Sequence, residues 1–198
     1  GLVKALGERK TMVVGHDWGG AIAWSLAAFN PEIIEKLVIL NAPHPNAYTN
    51  RTRDTLRQLQ KSWYVFFFQT ADIPEQVLSR NNYAFLRSML LNSFVKKDVM
   101  TDEDTGAYIK AWSKPGALTA AINYYRANMN PAILFSERTV TFPKVRSPTL
   151  VIWGEKDVAL SKDLIIGTDE YVDASYQIKY FPDCGHWVQL EEQDQVNK

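Results

Sequence analysis

A single cysteine, Cys184, stands among 198 residues, so no disulfide framework can form within the chain and buried apolar surface must hold the fold. Neither charge is in excess: 22 Lys plus Arg balance 22 Asp plus Glu. A neutral chain lacks the basic footprint of a nucleic-acid binder, or of a protein drawn by charge to an anionic membrane. No apolar run approaches the roughly 18 residues a membrane span requires. The densest, Val65-Phe66-Phe67-Phe68, stops at Gln69. No cluster has metal-ligand spacing, so neither a metal nor an organic cofactor is expected. No signal peptide is visible, which leaves cytoplasmic as the default compartment. The chain opens at Gly1 without methionine, inside a helical pattern (Leu2-Val3-x-x-Leu6), and closes in another at Gln195 to Lys198. It reads as a piece of a longer chain. An anchor or targeting segment upstream stays open, and so does the oligomeric state.

What is present is strand–helix alternation in a chain that is 46% hydrophobic. Short apolar runs at Thr11–Val14, Leu37–Leu40, Thr149–Trp153 and Gln177–Phe181 read as buried strands. Ala21 to Phe29 reads as a helix stopped by Asn30-Pro31, with further helical stretches around Pro31–Lys36 and Ser161–Tyr171. Continuously apolar strands alternating with helices predict an α/β fold with a parallel sheet. The region between the second and third strands lacks strand patterns and is rich in aromatics. A crossover needs only about a dozen residues, so a helical subdomain is inserted there. The expected division is 1–45 and 144–198 for the α/β core and 46–143 for the insertion.

Three groups follow strands, where open parallel sheets place their ligands. They are Asp17 in Gly-His-Asp-Trp-Gly-Gly, Asp157 in Trp-Gly-Glu-Lys-Asp, and His186 in Asp-Cys-Gly-His-Trp. Their order, nucleophile, acid, histidine, is that of an α/β-hydrolase triad, with aspartate in the serine position of a G-x-D-x-G elbow. Each has a plainer reading: Asp17 as an N-cap, Asp157 as a turn aspartate, His186 as a hydrogen-bonded histidine near a strand end. Glu155 and Asp183 compete for the acid role. Among the other candidates, His16 belongs to the elbow, His44 to a Pro-x-Pro hinge, and Cys184 reads as packing.

Taken with Asn-Ala-Pro-His-Pro, Ser-Trp-Tyr-Val-Phe-Phe-Phe-Gln and Asn-Tyr-Tyr-Arg, these motifs resemble the epoxide hydrolases of the α/β-hydrolase fold, in order over nearly the whole chain. The resemblance implies the last four strands of a larger parallel sheet with an inserted helical cap. It also implies that Tyr64 and Tyr125 are the cap tyrosines that bind the epoxide oxygen, Tyr124 being the near competitor for the second role. Trp63, Phe67, Phe68 and Trp112 are candidates for the apolar pocket wall. The family's His-Gly-x-Pro loop, one half of its oxyanion hole, has no counterpart, because none of the three histidines is followed by glycine. The first strand would then present an open edge, and the chain alone is expected to be poorly stable.

The chemistry so implied is hydrolysis of a small apolar epoxide by water to a vicinal diol. Asp17 would attack carbon, Tyr64 and Tyr125 would stabilise the opened oxygen, and His186 with Asp157 would activate water. The backbone N–H of Trp18 would serve the oxyanion. Three other readings stand beside it: a hydrolytic haloalkane or haloacetate dehalogenase using the same Asp17, Asp157 and His186, a serine-type esterase relative, and an inactive α/β-hydrolase fragment.

Overall fold

The computed structural model describes residues 1–54, 56–134 and 141–198, so the expected insertion, 46–143, includes two stretches outside the described residues. Strands β1 (Thr11–His16), β2 (Ile34–Leu40), β3 (Thr149–Gly154) and β4 (Tyr176–Phe181) form one parallel sheet in the order β1-β2-β3-β4. Helix α1 (Leu2–Ala5) precedes β1, and α2 (Trp18–Phe29) crosses from β1 to β2. Between β2 and β3 lie α3 (Pro45–Asp54), α4 (Leu56–Lys61), α5 (Trp63–Phe67), α6 (Ile73–Asn92), α7 (Asp102–Trp112), α8 (Ala117–Asn128) and α9 (Pro131–Leu134). After β4 come α10 (Val188–Glu191) and α11 (Gln193–Val196).

The runs of β2 and β3 are apolar on both sides because the pleat deals alternate residues to two covered faces. The expectation of a buried strand at Gln177–Phe181 is corrected: β4 ends the sheet, and of its residues only Phe181 is buried, with Gln177, Lys179 and Tyr180 exposed. Leu37 and Ile39 of β2, with Val151 and Trp153 of β3, pack against Ala23, Trp24, Ala27 and Ala28 of α2. Val38, Leu40, Leu150 and Ile152 turn to the other face, where Phe181, Cys184 and Val188 cover them. Cys184 is a core residue, as its position suggested. On β1 only Val13 reaches the first core, while Met12 and Val14 are 59% and 65% exposed.

Two helical expectations are corrected. Pro31–Lys36 is a single 3₁₀ turn, Pro31–Ile33, followed at once by β2. Burial of Ile34 and pairing with β1 override helix propensity there. Ser161–Tyr171 is two 3₁₀ turns, Lys162–Ile165 and Thr168–Tyr171, separated at Gly167, whose φ is 76°.

The insertion has its own small core. Phe68, Leu78 and Ile122 are buried together, with Tyr64, Phe67, Leu86 and Tyr125 packed around them. Arg126 ties α8 to α6 and to the turn after α5. It forms a two-pronged pair with Glu75 (2.6 and 3.0 Å) and donates to the carbonyls of Phe68 (2.9 Å) and Thr70 (2.8 Å). The paired guanidinium holds the Glu75 carboxyl below its usual range. Gln58 of α4, buried at 1% exposure, fastens the insertion to the core. Its amide N–H donates to the Ala159 carbonyl (3.0 Å), and its oxygen accepts the Ser161 N–H (2.7 Å).

Candidate active site

Asp17 stands at the junction of β1 and α2 with φ 52° and ψ −122°. A non-glycine residue in that region costs about 1–3 kcal/mol, so the surroundings must enforce it. They do so by close packing. A Cβ on Gly15 would lie 2.5 Å from the Gly19 carbonyl oxygen, and one on Gly20 would lie 2.3 Å from the Ala42 Cβ. Gly19 has nothing within 4 Å of such an atom. Of the two glycines in the G-x-D-x-G pattern, then, only the first is needed for space, and Gly20 outside it is the second close contact. Asp17 makes no side-chain cap bond to α2, which removes the N-cap reading.

His186, 7% exposed, lies between two carboxylates. Its Nδ1 is 2.8 Å from Asp157 Oδ2, and its Nε2 is 3.3 Å from Asp17 Oδ1. Against a carboxylate, Nδ1 carries the proton and donates. Asp157 is 2% exposed, and both its oxygens are occupied. Oδ2 also accepts from Asn41 Nδ2 (2.8 Å), and Oδ1 accepts the N–H groups of Ala159 (2.7 Å) and Leu160 (2.9 Å). The rival acids are engaged elsewhere: Glu155 pairs with Lys162 and Asp183 with Lys156, each at 2.8 Å.

The electrostatics follow from this placement. Burial opposes ionisation of Asp157, yet the charge and hydrogen bond of His186, the Leu160 N–H and Asn41 hold its carboxyl below the usual range. Asp17 is part-buried, its side chain 35% exposed, and desolvation there is outweighed chiefly by His186, so its carboxyl is also held low. Burial alone would lower the His186 pKa, but Asp157 and then Asp17 outweigh it and push the imidazole up to about 10. His16 is held below its ordinary value by burial and by His186, so it is neutral. Its Nε2–H donates to the His186 carbonyl at 2.8 Å. His44 is fully buried, stacked on Tyr171, and pushed down to about 4 by burial; it takes no part in this cluster.

Two positions that sequence reasoning passed over hold the loops. Asn41 follows β2 at φ 39° and spans β3 to the acid: its Oδ1 accepts the Gly154 N–H (2.9 Å) while its Nδ2 reaches Asp157. Asparagine tolerates that backbone better than most residues, and this was the one available signal. Gly154 lets the acid and histidine loops meet, since a Cβ there would lie 2.0 Å from the Gly185 carbonyl oxygen. We expect Gly154→Ala to cost about 3 kcal/mol, the upper end for overpacking, seen as a lower thermal midpoint. An unchanged midpoint would show that the two loops have slack.

Above Asp17 lies a cavity of about 590 Å³ whose wall includes Trp18, Tyr64, Tyr124, Tyr125, Pro43 and Leu160. The rings of Tyr64 and Tyr125 meet edge to face with centroids 5.6 Å apart. Burial, and also the Asp17 charge, raise the pKa of both phenols, so both are neutral donors. The Trp18 ring meets the Tyr125 ring edge to face, with centroids 5.3 Å apart. Tyr124 shares the cavity but is 49% exposed. Trp63, Phe67, Phe68 and Trp112 are not in the described wall. Phe68 and Phe67 pack in the core of the insertion, Trp63 is half exposed, and Trp112 packs on Tyr83 and Tyr108. At helical spacing an aromatic stripe looks alike whether it faces a pocket or a core.

A parallel sheet, a strained elbow aspartate and an acid–histidine pair at the strand ends define an α/β-hydrolase architecture. The chain belongs to the alpha/beta hydrolase fold family, whose model matches residues 2–193. Several of its relatives in that family are named epoxide hydrolases. The chain is 36% identical over 201 residues to epoxide hydrolase 4 of Homo sapiens, covering 100% of this chain and 54% of that protein. It is also 36% identical over 198 residues to the AB hydrolase superfamily protein YfhM of Bacillus subtilis (strain 168), covering 67% of it. The crystal structure of the Bacillus megaterium epoxide hydrolase in complex with an inhibitor superposes with a TM-score of 0.88 at 28% identity, covering 99% of this chain and 69% of that one. The chain thus spans about half the length of the human relative. No described helix is long and apolar enough to cross a membrane.

Proposed function

We propose that the protein hydrolyses small apolar epoxides to vicinal diols through an alkyl ester on Asp17. The observation that carries this reading is the line Asp157–His186–Asp17, with contacts of 2.8 and 3.3 Å, beneath two tyrosines that wall the same cavity. A carboxylate is anionic at neutral pH and needs no base to attack an sp³ carbon. Attack forms the Asp17 oxygen–carbon bond and breaks the ring carbon–oxygen bond. The leaving oxygen takes a proton from the Tyr64 and Tyr125 pair.

Ester formation removes the Asp17 charge. One of the two carboxylates that raise His186 is then gone, so the imidazole becomes a better proton donor to solvent and reaches its neutral, basic form. It takes a proton from water, and the hydroxide adds to the ester carbonyl. The backbone N–H of Trp18, the residue after the nucleophile, stabilises the oxyanion. The second diol oxygen leaves with the imidazolium proton. The carboxylic acid left at Asp17 gives up its proton, which restores the tyrosine, His186 takes back from solvent the proton it released, and the cycle balances as epoxide plus water to diol. Asp157 keeps the imidazole oriented and stabilises its cation.

Styrene oxide is the test substrate. Diol formation is the expected result, and halide release from a bromoalkane without any diol would refute the reading. A dehalogenase site needs N–H groups aimed at a halide, whereas two phenol hydroxyls in the cavity wall suit an epoxide oxygen, which favours the epoxide. Tyr64→Phe and Tyr125→Phe should each lower kcat by about 10²-fold or more, the effect of deleting one oxyanion donor. Steady-state diol production reads this, and a loss under threefold in both would remove the tyrosines from the mechanism.

A further inference from the structure

Glu191 takes no part in the chemistry above, yet its side chain belongs to a residue only 5% exposed. It ends α10, just beyond the histidine loop. Both of its oxygens are engaged. Oε2 accepts the backbone N–H of Gly185, the residue before His186, at 3.0 Å. Oε1 accepts the backbone N–H of Val95, in the insertion just after α6, at 2.9 Å. One side chain thus satisfies two donors from different parts of the molecule, and such donors lose heavily if left unpaired.

The surroundings leave little freedom. Trp187 Nε1–H donates to Ser93 Oγ at 2.6 Å, and its ring stacks on Phe94 with centroids 5.5 Å apart. Lys96 donates to the Glu191 carbonyl at 2.9 Å and pairs with Glu192. A Cβ on Gly185 would lie 2.9 Å from the Ser93 carbonyl oxygen and 3.2 Å from Glu191 Oε1. The histidine loop is therefore seated directly on residues 93–96 of the insertion, with the Glu191 carboxylate between them.

We infer that Glu191 is a positioning residue for His186: its carboxylate fixes the Gly185 peptide, and through it the imidazole, against the helical insertion. The inference rests on the covalent reading above. Both oxygens face N–H donors, so an amide would set an NH₂ against one of them, and only a carboxylate serves. In that mechanism His186 acts in the second half-reaction alone. Displacing it slows ester hydrolysis and leaves ester formation unchanged.

Single turnovers of styrene oxide by the full-length protein, quenched rapidly and read by intact mass, separate the two steps. In Glu191→Gln, ester formation should proceed at the parental rate. Hydrolysis should fall about 10²-fold, the cost of a misplaced catalytic group, so that adduct builds up on Asp17. Glu191→Asp, which keeps the charge one methylene shorter, should recover part of the loss. Equal slowing of both steps overturns the proposal, as does unchanged hydrolysis. Failure of both variants to fold also overturns it, because the role is then structural. His186→Gln, run in parallel, isolates the cause: no adduct even there defeats the covalent reading, while adduct there and none in Glu191→Gln defeats the Glu191 assignment alone.

Discussion

Asp17→Ala should lower epoxide hydrolysis by at least about 10⁴-fold while the protein stays folded, the scale seen when a covalent nucleophile is removed. No neighbouring group can take over. Asp157, the other carboxylate of the line, is 2% exposed and has both oxygens occupied by His186, Asn41 and the Ala159 and Leu160 N–H groups. The variant also tests chemistry rather than folding. Alanine adds no bulk at φ 52°, and the elbow packing of Gly15 and Gly20 is untouched. The checks are diol production and the thermal midpoint, measured together. Activity within tenfold of the parent, with an unchanged midpoint, would rule Asp17 out as nucleophile.

His186→Gln should stop the cycle halfway. Ester formation needs the Asp17 carboxylate and the tyrosine donors but no base, whereas ester hydrolysis needs a base at the 3.3 Å position that His186 Nε2 occupies. Turnover should fall about 10⁴-fold, as when a triad member is lost, and one equivalent of adduct should accumulate. The parent enzyme should show a matching pH dependence. The Asp17 carboxyl is held below its usual value, so its anion is present throughout the neutral range and ester formation should be flat there. Hydrolysis needs neutral His186 and should rise with pH. In the resting enzyme that group titrates near 10 because burial is outweighed by two carboxylates. In the ester only Asp157 remains charged, so the rise should centre below that value. Single-turnover hydrolysis measured across pH 6 to about 10 reads this directly. A rate that falls with pH would contradict the base assignment.

The four strands and the insertion were legible because each rests on a local regularity. Short apolar runs bounded by Gly, Pro and Asn mark strands, though β1 and β4 at the sheet's ends stay largely exposed, and a stretch too long for a crossover marks an inserted body. The meeting of Asp17, Asp157 and His186 was legible because chain order and strand-end position are themselves one-dimensional facts. What failed to show was anything set by packing across the chain. Pro31–Lys36 carries a helical pattern, but Ile34 is claimed by the sheet. Trp63, Phe67, Phe68 and Trp112 have pocket chemistry, yet the insertion spends Phe67 and Phe68 on its own core.

The sequence by itself determined the residue types and their order: an aspartate at an elbow, an acid and a histidine after later strands, and tyrosines in an inserted helical region. The tertiary structure decided which of the nearby groups meet. It set His186 between Asp157 and Asp17, paired Glu155 and Asp183 with lysines instead, and brought Asn41, Gln58 and Glu191 to hold the loops. The reason is physical. A motif records what one strand end carries, but hydrogen bonds and charge shifts depend on distances of 2 to about 4 Å between segments far apart in the chain. Those distances exist only once the sheet is packed.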